Sequence, residues 1–339
     1  MSSQDVRRRF QKIVPFQSNG QRTEDLGRGM VYRDLILRLR GAPTCLAANN
    51  TIANTERGDA WGVVKNIEIL VNNNQVIRSL SGNQLWWLNY VMYGEAPEIQ
   101  YNIGDGATAN PVLDSVLVLP FWMFRSIRPM DTALDSRVLS DLKIRITWGT
   151  YTDISAGATA WTTEPYVEVH SLESAMTPGP FSLQTIYSIE KTISATDSKF
   201  QVFLPVNDVY RGFLLNTTDA GVDSASILNN VKIKSGLTVF YDAPIKVIQQ
   251  YDMGIKAGIG YPGSLPATAA STYFTTAQRS ADSLRGAWTY IDLVTDGFLT
   301  EAIDTLGFSE FFLELDVTVG VGATKLYVLP IQVTPVRGK

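Results

Sequence analysis

The sequence predicts an all-β protein of two tandem eight-stranded jelly rolls, each with one short helix, plus an N-terminal arm. Three observations support this fold class. Apolar and polar residues alternate along many short segments, such as Leu142–Trp148, as in half-buried strands. These segments recur every 8–12 residues with short turns, which is typical of an antiparallel sandwich, and eight strands make it a jelly roll. Finally, the second half of the chain repeats the order of the first.

The internal repeat rests on four matches that occur in the same order in both halves. The matches are Tyr32-Arg33 with Tyr210-Arg211, Asn66–Ile69 with Asn230–Ile233, Asp131-Thr132 with Asp304-Thr305, and Leu142–Gly149 with Leu313–Gly320. Any one of them is weak, because strands resemble one another, but their common order indicates two copies of one module. Duplicated β modules usually build shape and symmetry rather than a single catalytic site.

The elements follow from this plan in chain order. Residues 1–30 lack a clean period and predict an arm with a short helix over Gln4–Lys12. Residues 31–175 are predicted to form the first jelly roll and 181–339 the second. The linker between them, 176–180, contains two prolines, which block both helix and sheet pairing. Two Gly-containing stretches, Gly94–Pro111 and Gly254–Thr276, predict long loops.

One helix is expected at the same place in each module, after a hairpin. Ser81 is predicted to cap Gly82–Met92, because Gln84 follows at the spacing of a capping box. In the second module Asp242 is predicted to cap Ala243–Tyr251, with Pro244 in the first turn, where proline is tolerated.

Composition restricts the function classes. Charged residues make up only 18% of the chain and the net charge is −4, so the protein as a whole is not expected to bind nucleic acid, and no sequence-specific binding is predicted. Residues 1–40 carry nine Lys/Arg against four Asp/Glu. A basic arm containing Arg7, Arg8, Arg9 and Lys12 fits contact with an anionic lipid surface or with nucleic acid, and equally a solubilising disordered end. Cys45 is the only cysteine, and neither a secretory signal nor a spanning segment is evident, so synthesis in the cytoplasm is expected.

Catalytic chemistry is not predicted, and neither a cofactor nor a metal site is expected. His170 is the only histidine, which argues against a serine-histidine triad and against histidine metal sites. The stretch Gly258–Gly263 matches a dinucleotide fingerprint by letter, but Pro262 and Pro266 forbid the helix that it requires. A set of carboxylates offers pairs for glycoside hydrolysis, although solvated loop charges are the favoured interpretation: Glu95, Glu98, Asp105, Asp114, Asp131, Asp135 and Asp141.

Aromatic residues crowd the first predicted helix. Trp86, Trp87 and Tyr90 are interpreted as packing residues, with one helix face on its barrel and the other against a neighbouring subunit. Stacking on sugars is the alternative use of such rings.

The paired segments resemble the double jelly-roll major capsid proteins of tailless icosahedral bacteriophages of the internal-membrane type, the lineage of the adenovirus hexon. The segments that carry the resemblance are Tyr32–Leu39 with Tyr210–Leu215, Asn66–Leu88 with Asn230–Ile248, and Asp131–Gly149 with Asp304–Gly320. They span nearly all of residues 31–335, and the likeness is one of architecture rather than of a diagnostic motif.

This resemblance implies a structural role in the virion. Two upright jelly rolls per chain would form a homotrimer of pseudo-hexameric outline that tiles a capsid lattice, with minor capsid or vertex proteins as further partners. The basic arm would lie at the inner face, against an internal lipid membrane or neighbouring capsomers. The long loops would form outward towers or lock the trimer. Two alternatives remain open: a secreted-type double jelly-roll glycan-binding protein or amidase, and another virion β-protein such as a spike.

Overall fold

The computed structural model describes residues 6–50, 59–93, 108–124, 126, 129–155, 157–175, 183–256, 287–294 and 297–334. Strands dominate this part of the chain, and helices are few and short. The all-β fold class is therefore confirmed. Short 3-10 helices lie at Ala47–Asn49, Asp59–Val63, Pro129–Thr132, Ser136–Val138, Tyr151–Asp153 and Leu299–Glu301.

The first module contains two antiparallel sheets that enclose one core. Its strands are β1 (Val6–Pro15), β2 (Gln21–Asp25), β3 (Val31–Thr44), β4 (Val64–Val71), β5 (Gln75–Leu80), β6 (Leu113–Pro120), β7 (Leu134–Asp135), β8 (Leu142–Trp148) and β9 (Ala160–Ser174). One sheet has the order β1-β9-β3-β6, with the short β7 beside β3, and the other has the order β2-β8-β4-β5. Helix α1 (Gly82–Tyr93) connects β5 to β6. Four strands per sheet make the eight-stranded jelly roll that the sequence predicts.

The second module repeats this plan. Its strands are β10 (Leu183–Tyr187), β11 (Ile189–Ile193), β12 (Asp197–Phe203), β13 (Val209–Asp219), β14 (Val222–Asp223), β15 (Leu228–Ser235), β16 (Thr238–Pro244), β17 (Trp288–Asp292), β18 (Ile303–Asp304), β19 (Phe312–Val317) and β20 (Thr324–Thr334). The sheets have the orders β11-β20-β13-β17 and β12-β19-β15-β16. After β16 comes α2 (Ile245–Val247), which continues as a π-helix over Ile248–Lys256.

Each module has its own hydrophobic core, and the core of the first module continues into the second. One buried cluster fills the second barrel alone, whereas the other fills the first barrel and continues into side chains of the second module, such as Leu214 and Trp288. Strand β10 pairs antiparallel with β20 and parallel with β5, so one sheet runs from the first module into the second.

The hairpins and the first helix form as their sequences predict. Asn72, Asn73 and Asn74 all have positive φ (46°, 64° and 79°) in the turn between β4 and β5, a conformation that asparagine tolerates better than most residues. The capping box is present, since Gln84 N–H donates to Ser81 Oγ (3.2 Å) and Ser81 N–H donates to Gln84 Oε1 (2.9 Å).

Several expectations require correction or lie outside the described residues. The helix expected over Gln4–Lys12 is wrong, because residues from Val6 onward form β1, whose backbone pairs with β9. The segment 1–30, expected to be an arm, therefore supplies two strands, β1 and β2, to the sheets of the first module. Asp242 does not cap the second helix: it lies in β16 and accepts a hydrogen bond from Asn230, and Pro244 is the cap residue. The predicted linker 176–180 and most of the two long loops lie outside the described residues.

Candidate functional site

Both modules run in the same direction. The start of β1 and the end of β9 meet at Val6 and Ser174, and the start of β10 and the end of β20 meet at Leu183 and Thr334. Because β10 and β5 are parallel, these two ends lie on the same side of the molecule. We call this side the terminal end. The jelly rolls therefore stand side by side with one common polarity.

The segments that follow the two long predicted loops lie at the opposite end. Asn110 N–H donates to the carbonyl of Cys45 (3.1 Å), just beyond the far end of β3. In the second module, Asn216 Nδ2 donates to the carbonyl of Ala287 (3.3 Å), toward the far end of β13. The chain therefore enters β6 and β17 from the end away from the terminal end.

The four basic residues expected to contact a membrane or a neighbour all lie on β1. Arg7, Arg8, Arg9 and Lys12 are exposed, and β1 is the edge strand of its sheet. A bulge between Phe10 and Lys12 turns Gln11 inward, where its Nε2 donates to Ser171 Oγ (2.6 Å) and to Glu173 Oε1 (2.7 Å). Charge on an edge strand also blocks pairing with foreign strands.

The aromatic residues of α1 pack inside the chain. Trp86, Trp87 and Tyr90 are 1%, 2% and 4% exposed. The ring of Trp87 stacks on Trp288 of the second module, with centroids 5.0 Å apart and planes at 19°. These rings fill the contact between the two modules, which leaves no surface for the subunit packing expected of them, nor for stacking on sugars.

Two buried arginines complete this contact, which we call the module junction. Arg78 is fully buried and donates to the carbonyls of Gln184 and Pro120 (2.9 Å for the second). Burial lowers the pKa of Arg78 to about 9. Arg211 is also fully buried, and its guanidinium lies 4.4 Å from the ring centroid of Phe124, within the range of a cation–π contact.

Neither arginine is recognisable from the sequence as a junction residue. The repeated Tyr-Arg pair marks Arg211 as part of the module, but no signal in the sequence indicates that its side chain is buried. Arg78 lies in β5, the second strand of a hairpin, without any distinguishing pattern. Their burial depends on the packing of one module on the other, which a linear pattern does not encode.

The described residues do not bring catalytic groups together. Asp114 forms an ion pair with Arg38 (2.6 Å), and Asp135 forms one with Arg137 (2.7 Å). His170 packs edge-on against Phe10, with centroids 5.4 Å apart. No group of three or more His, Cys, Asp or Glu in the described part is placed to hold a metal ion. Glu95, Glu98, Asp105 and the stretch Gly258–Gly263 lie outside the described residues.

One large sheet surface remains uncovered within the described part of the chain. We call the outer surface of β1-β9-β3-β6 the open face, defined by Phe10, Ile36, Val116, Val118 and Leu172. Phe10 and Val116 are 53% and 43% exposed, and the other three are half-buried. The charges beside them are paired within the sheet, where Arg38 contacts Asp114 (2.6 Å) and Glu168 (3.4 Å).

Within the described residues no helix is both long and apolar enough to cross a membrane.

The fold is that of several capsid proteins of known structure. The STIV MCP superposes with a TM-score of 0.70 at 12% identity, over 97% of this chain and 96% of that one. The major capsid protein P2 from bacteriophage PM2 gives 0.60 at 11% identity, over 98% and 100% of the two chains. PBCV-1 VP54 gives 0.59 at 10% identity, over 98% and 97%. Neither a protein-family model nor a curated protein sequence matches this chain.

Proposed function

We propose that this chain is the major capsid protein of an icosahedral virus and that it acts structurally rather than as an enzyme. The observation that carries the proposal is the similarity of nearly the whole chain, as one two-module unit, to the STIV MCP and to P2 of bacteriophage PM2. A binding module or enzyme built on one jelly roll would not require both barrels in this arrangement.

The internal geometry supports the same function. Two barrels of common polarity give the chain two distinct ends, as a shell subunit requires, and the module junction joins them through the stack of Trp87 on Trp288. We propose that three chains associate into a homotrimer with six barrels in a pseudo-hexameric outline, which then tiles the shell of the virion. The division into modules on either side of residues 176–180 is part of this proposal.

The terminal end is proposed to face the interior of the particle. It carries the start of β1, where Arg7, Arg8 and Arg9 are exposed. Cations near an anionic membrane each contribute about 1 kcal/mol of attraction, so this strand is suited to contact an internal lipid membrane or a neighbouring capsomer. Minor capsid or vertex proteins would then be further partners in the assembled particle, and synthesis would take place in the host cytoplasm.

The glycan-binding alternative required the rings of Trp86 and Trp87 to stack on sugars. Both rings are buried at the module junction, so they do not support it. The other alternative, a spike, has no observation in its favour.

The test is the mass of the purified full-length chain in solution, together with negative-stain images of the same sample. We expect a species of three times the 37.4 kDa chain mass, with a six-lobed outline. A monomer at every concentration, without assembly in the presence of crowding agents or lipid vesicles, would count against the proposed function.

A further inference from the structure

The two equivalent helices are covered unequally. α1 follows its cap Ser81, and α2 follows its cap Pro244, so positions in the first two turns of the two helices correspond at an offset of 163 residues. The π-helix has added one residue by Met253, which accepts a hydrogen bond from Tyr290 N–H as Asn89 does from Val118 N–H. Almost every residue of α1 is buried, because the helix lies between its own barrel and the second module. In the second helix Ile245 and Ile248 are buried against the barrel, whereas Lys246, Val247 and Gln250 are exposed. The outer side of this helix has no cover within the described chain.

The two equivalent sheet faces are also covered unequally. Strand pairing defines the equivalence, since Ile36 pairs with His170 and Val118 just as Leu214 pairs with Leu329 and Tyr290. The matched positions are Ile36 with Leu214, Val116 with Trp288, Val118 with Tyr290, His170 with Leu329, and Leu172 with Ile331. The residues of the second module are all at most 3% exposed, because the first module covers them. Their counterparts form the open face.

Within the described residues, one contact of a helix with a sheet face joins the two modules. The equivalent sheet face, which is the open face, and the outer side of the equivalent helix are both uncovered. We propose that the open face of one copy binds the outer side of the second helix of another copy, so that the contact between chains repeats the module junction. This inference rests on the proposed function and specifies its subunit contact. The occupant of the open face is thus a second copy of this chain.

The equivalence identifies which residues meet. Trp87 stacks on Trp288 within the chain. The residue equivalent to Trp87 is Gln250, six positions after the helix cap, and the residue equivalent to Trp288 is Val116. Gln250 of one copy should therefore lie against Val116 of the next.

Such a contact joins two different surfaces and is heterologous, so it generates either a closed ring or an open filament. Both modules share one polarity, and successive copies that repeat the junction keep that polarity. Three copies with two modules each would close a ring of six barrels, which agrees with the proposed trimer.

The first test is a charge placed on the open face. Val116→Arg should weaken self-association at least about tenfold, because the cation would be buried without a partner at the contact. Val239→Arg is the matched control: Val239 is 49% exposed on β16, in the sheet on the other side of the second barrel. It should leave self-association unchanged. Both side chains are solvated in the single chain, so circular dichroism and melting temperature should match those of the wild type.

The second test is cross-linking of full-length chains with a short bismaleimide. In a Cys45→Ala background, Val116→Cys and Gln250→Cys together should give a covalent three-chain species. A mixture of the two single-cysteine chains should give a two-chain species, and Val239→Cys with Gln250→Cys should give neither. If wild-type trimers form but the cross-link is absent and Val116→Arg behaves like Val239→Arg, this contact is wrong and the proposed function stands. A wild type that never self-associates would overturn both.

Discussion

Tyr32 and Tyr210 occupy the same place in the two modules and make the same hydrogen bond. Each hydroxyl donates to the carbonyl of the residue five positions earlier, Gly27 for Tyr32 and Pro205 (2.5 Å) for Tyr210. Both side chains are fully buried at the start of the strand that crosses the middle of a sheet, β3 or β13. The hydrogen bond holds the start of that strand against the preceding loop in both barrels. Its repetition shows that the two modules share individual side-chain contacts as well as their strand order.

Replacement of either tyrosine by phenylalanine should destabilise its barrel. Tyr32→Phe should lower the free energy of unfolding by about 1 kcal/mol, the usual value of one hydrogen bond. Tyr210→Phe should cost on the order of 2 kcal/mol, because Gln332 Nε2 also donates to the Tyr210 hydroxyl (2.7 Å) and would remain buried without that acceptor. Urea titrations measure both. Tyr166→Phe, at a half-buried side chain in β9, is the control and should change stability by less than about 0.5 kcal/mol.

The sequence revealed this duplication correctly but misplaced two of its matches. Strand pairing makes Asp135, not Asp131, the equivalent of Asp304, because each pairs with the residue just before the repeated tyrosine, Val31 or Val209. Each also accepts a hydrogen bond from the N–H two residues later. Likewise Leu313 corresponds to Ile144, two residues after the matched Leu142. A shift of two residues keeps every side chain on the same face of a strand, so an alternating pattern cannot detect it.

Charge at one pair of equivalent positions is reversed between the modules. Glu68 and Arg145 form an ion pair across β4 and β8 (2.5 Å), and their counterparts are Lys232 and Glu314 (3.9 Å). The cross-strand position thus requires opposite charges but not a particular polarity. Glu68→Lys alone should be destabilising, and Glu68→Lys with Arg145→Glu should recover most of the loss. Because the side chains are partly solvated, the coupling should be about 0.5–1 kcal/mol in a double-mutant cycle, and it should shrink at high salt.

The module junction should unite the two barrels into one unfolding unit. Trp87→Ala should destabilise the chain by about 3–5 kcal/mol, because it leaves a cavity at a buried stack with Trp288. We further expect unfolding monitored by tryptophan fluorescence to separate into two transitions, since the barrels retain their own cores. Trp161→Ala provides the comparison, because Trp161 packs on Phe16 at the edge of the first barrel and should leave a single transition.

The residues of this junction show where sequence reasoning reaches its limit. The density of aromatic residues in α1 indicates correctly that its rings are packed, but the pattern of one helix cannot say against which surface. The same applies to β1: its run of arginines is atypical of a strand, and its conformation is decided by pairing with β9, about 160 residues away. Such long-range partners override the local preference of the segment.

Two carboxylates should make stability depend on pH in opposite directions. Burial raises the pKa of Asp34 to about 6, although the Trp122 indole N–H donates to it (2.6 Å). In the unfolded chain the pKa of this group is near 4. As the pH falls from 7 to 4, the folded chain therefore binds more protons at Asp34 than the unfolded chain does, and the folded state gains stability. Asp34→Asn should therefore be more stable than the wild type at pH 7, by on the order of 2 kcal/mol, and the advantage should vanish near pH 4.

Asp135 provides the opposite sign. A hydrogen bond from Arg137 holds the pKa of this carboxyl below its ordinary value, so its contribution is present above pH 4 and is lost as the pH falls further. Asp135→Asn should be less stable than the wild type at pH 7, and the deficit should shrink toward pH 3. Urea titrations at several pH values measure both variants, and parallel pH profiles for the two would contradict the assignment.

The exposed cations of β1 should determine binding to anionic lipid. Replacement of Arg7, Arg8, Arg9 and Lys12 by glutamine should weaken binding to vesicles that contain phosphatidylserine, by up to about 1 kcal/mol for each cation. The matched control replaces four exposed cations on other surfaces: Arg22, Lys65, Lys191 and Lys199. Cosedimentation at increasing salt measures both, and only the β1 variant should lose the salt-dependent part of the binding. Equal losses in the two variants would mean that net charge, rather than the position of these residues on the edge strand at the terminal end, drives the interaction.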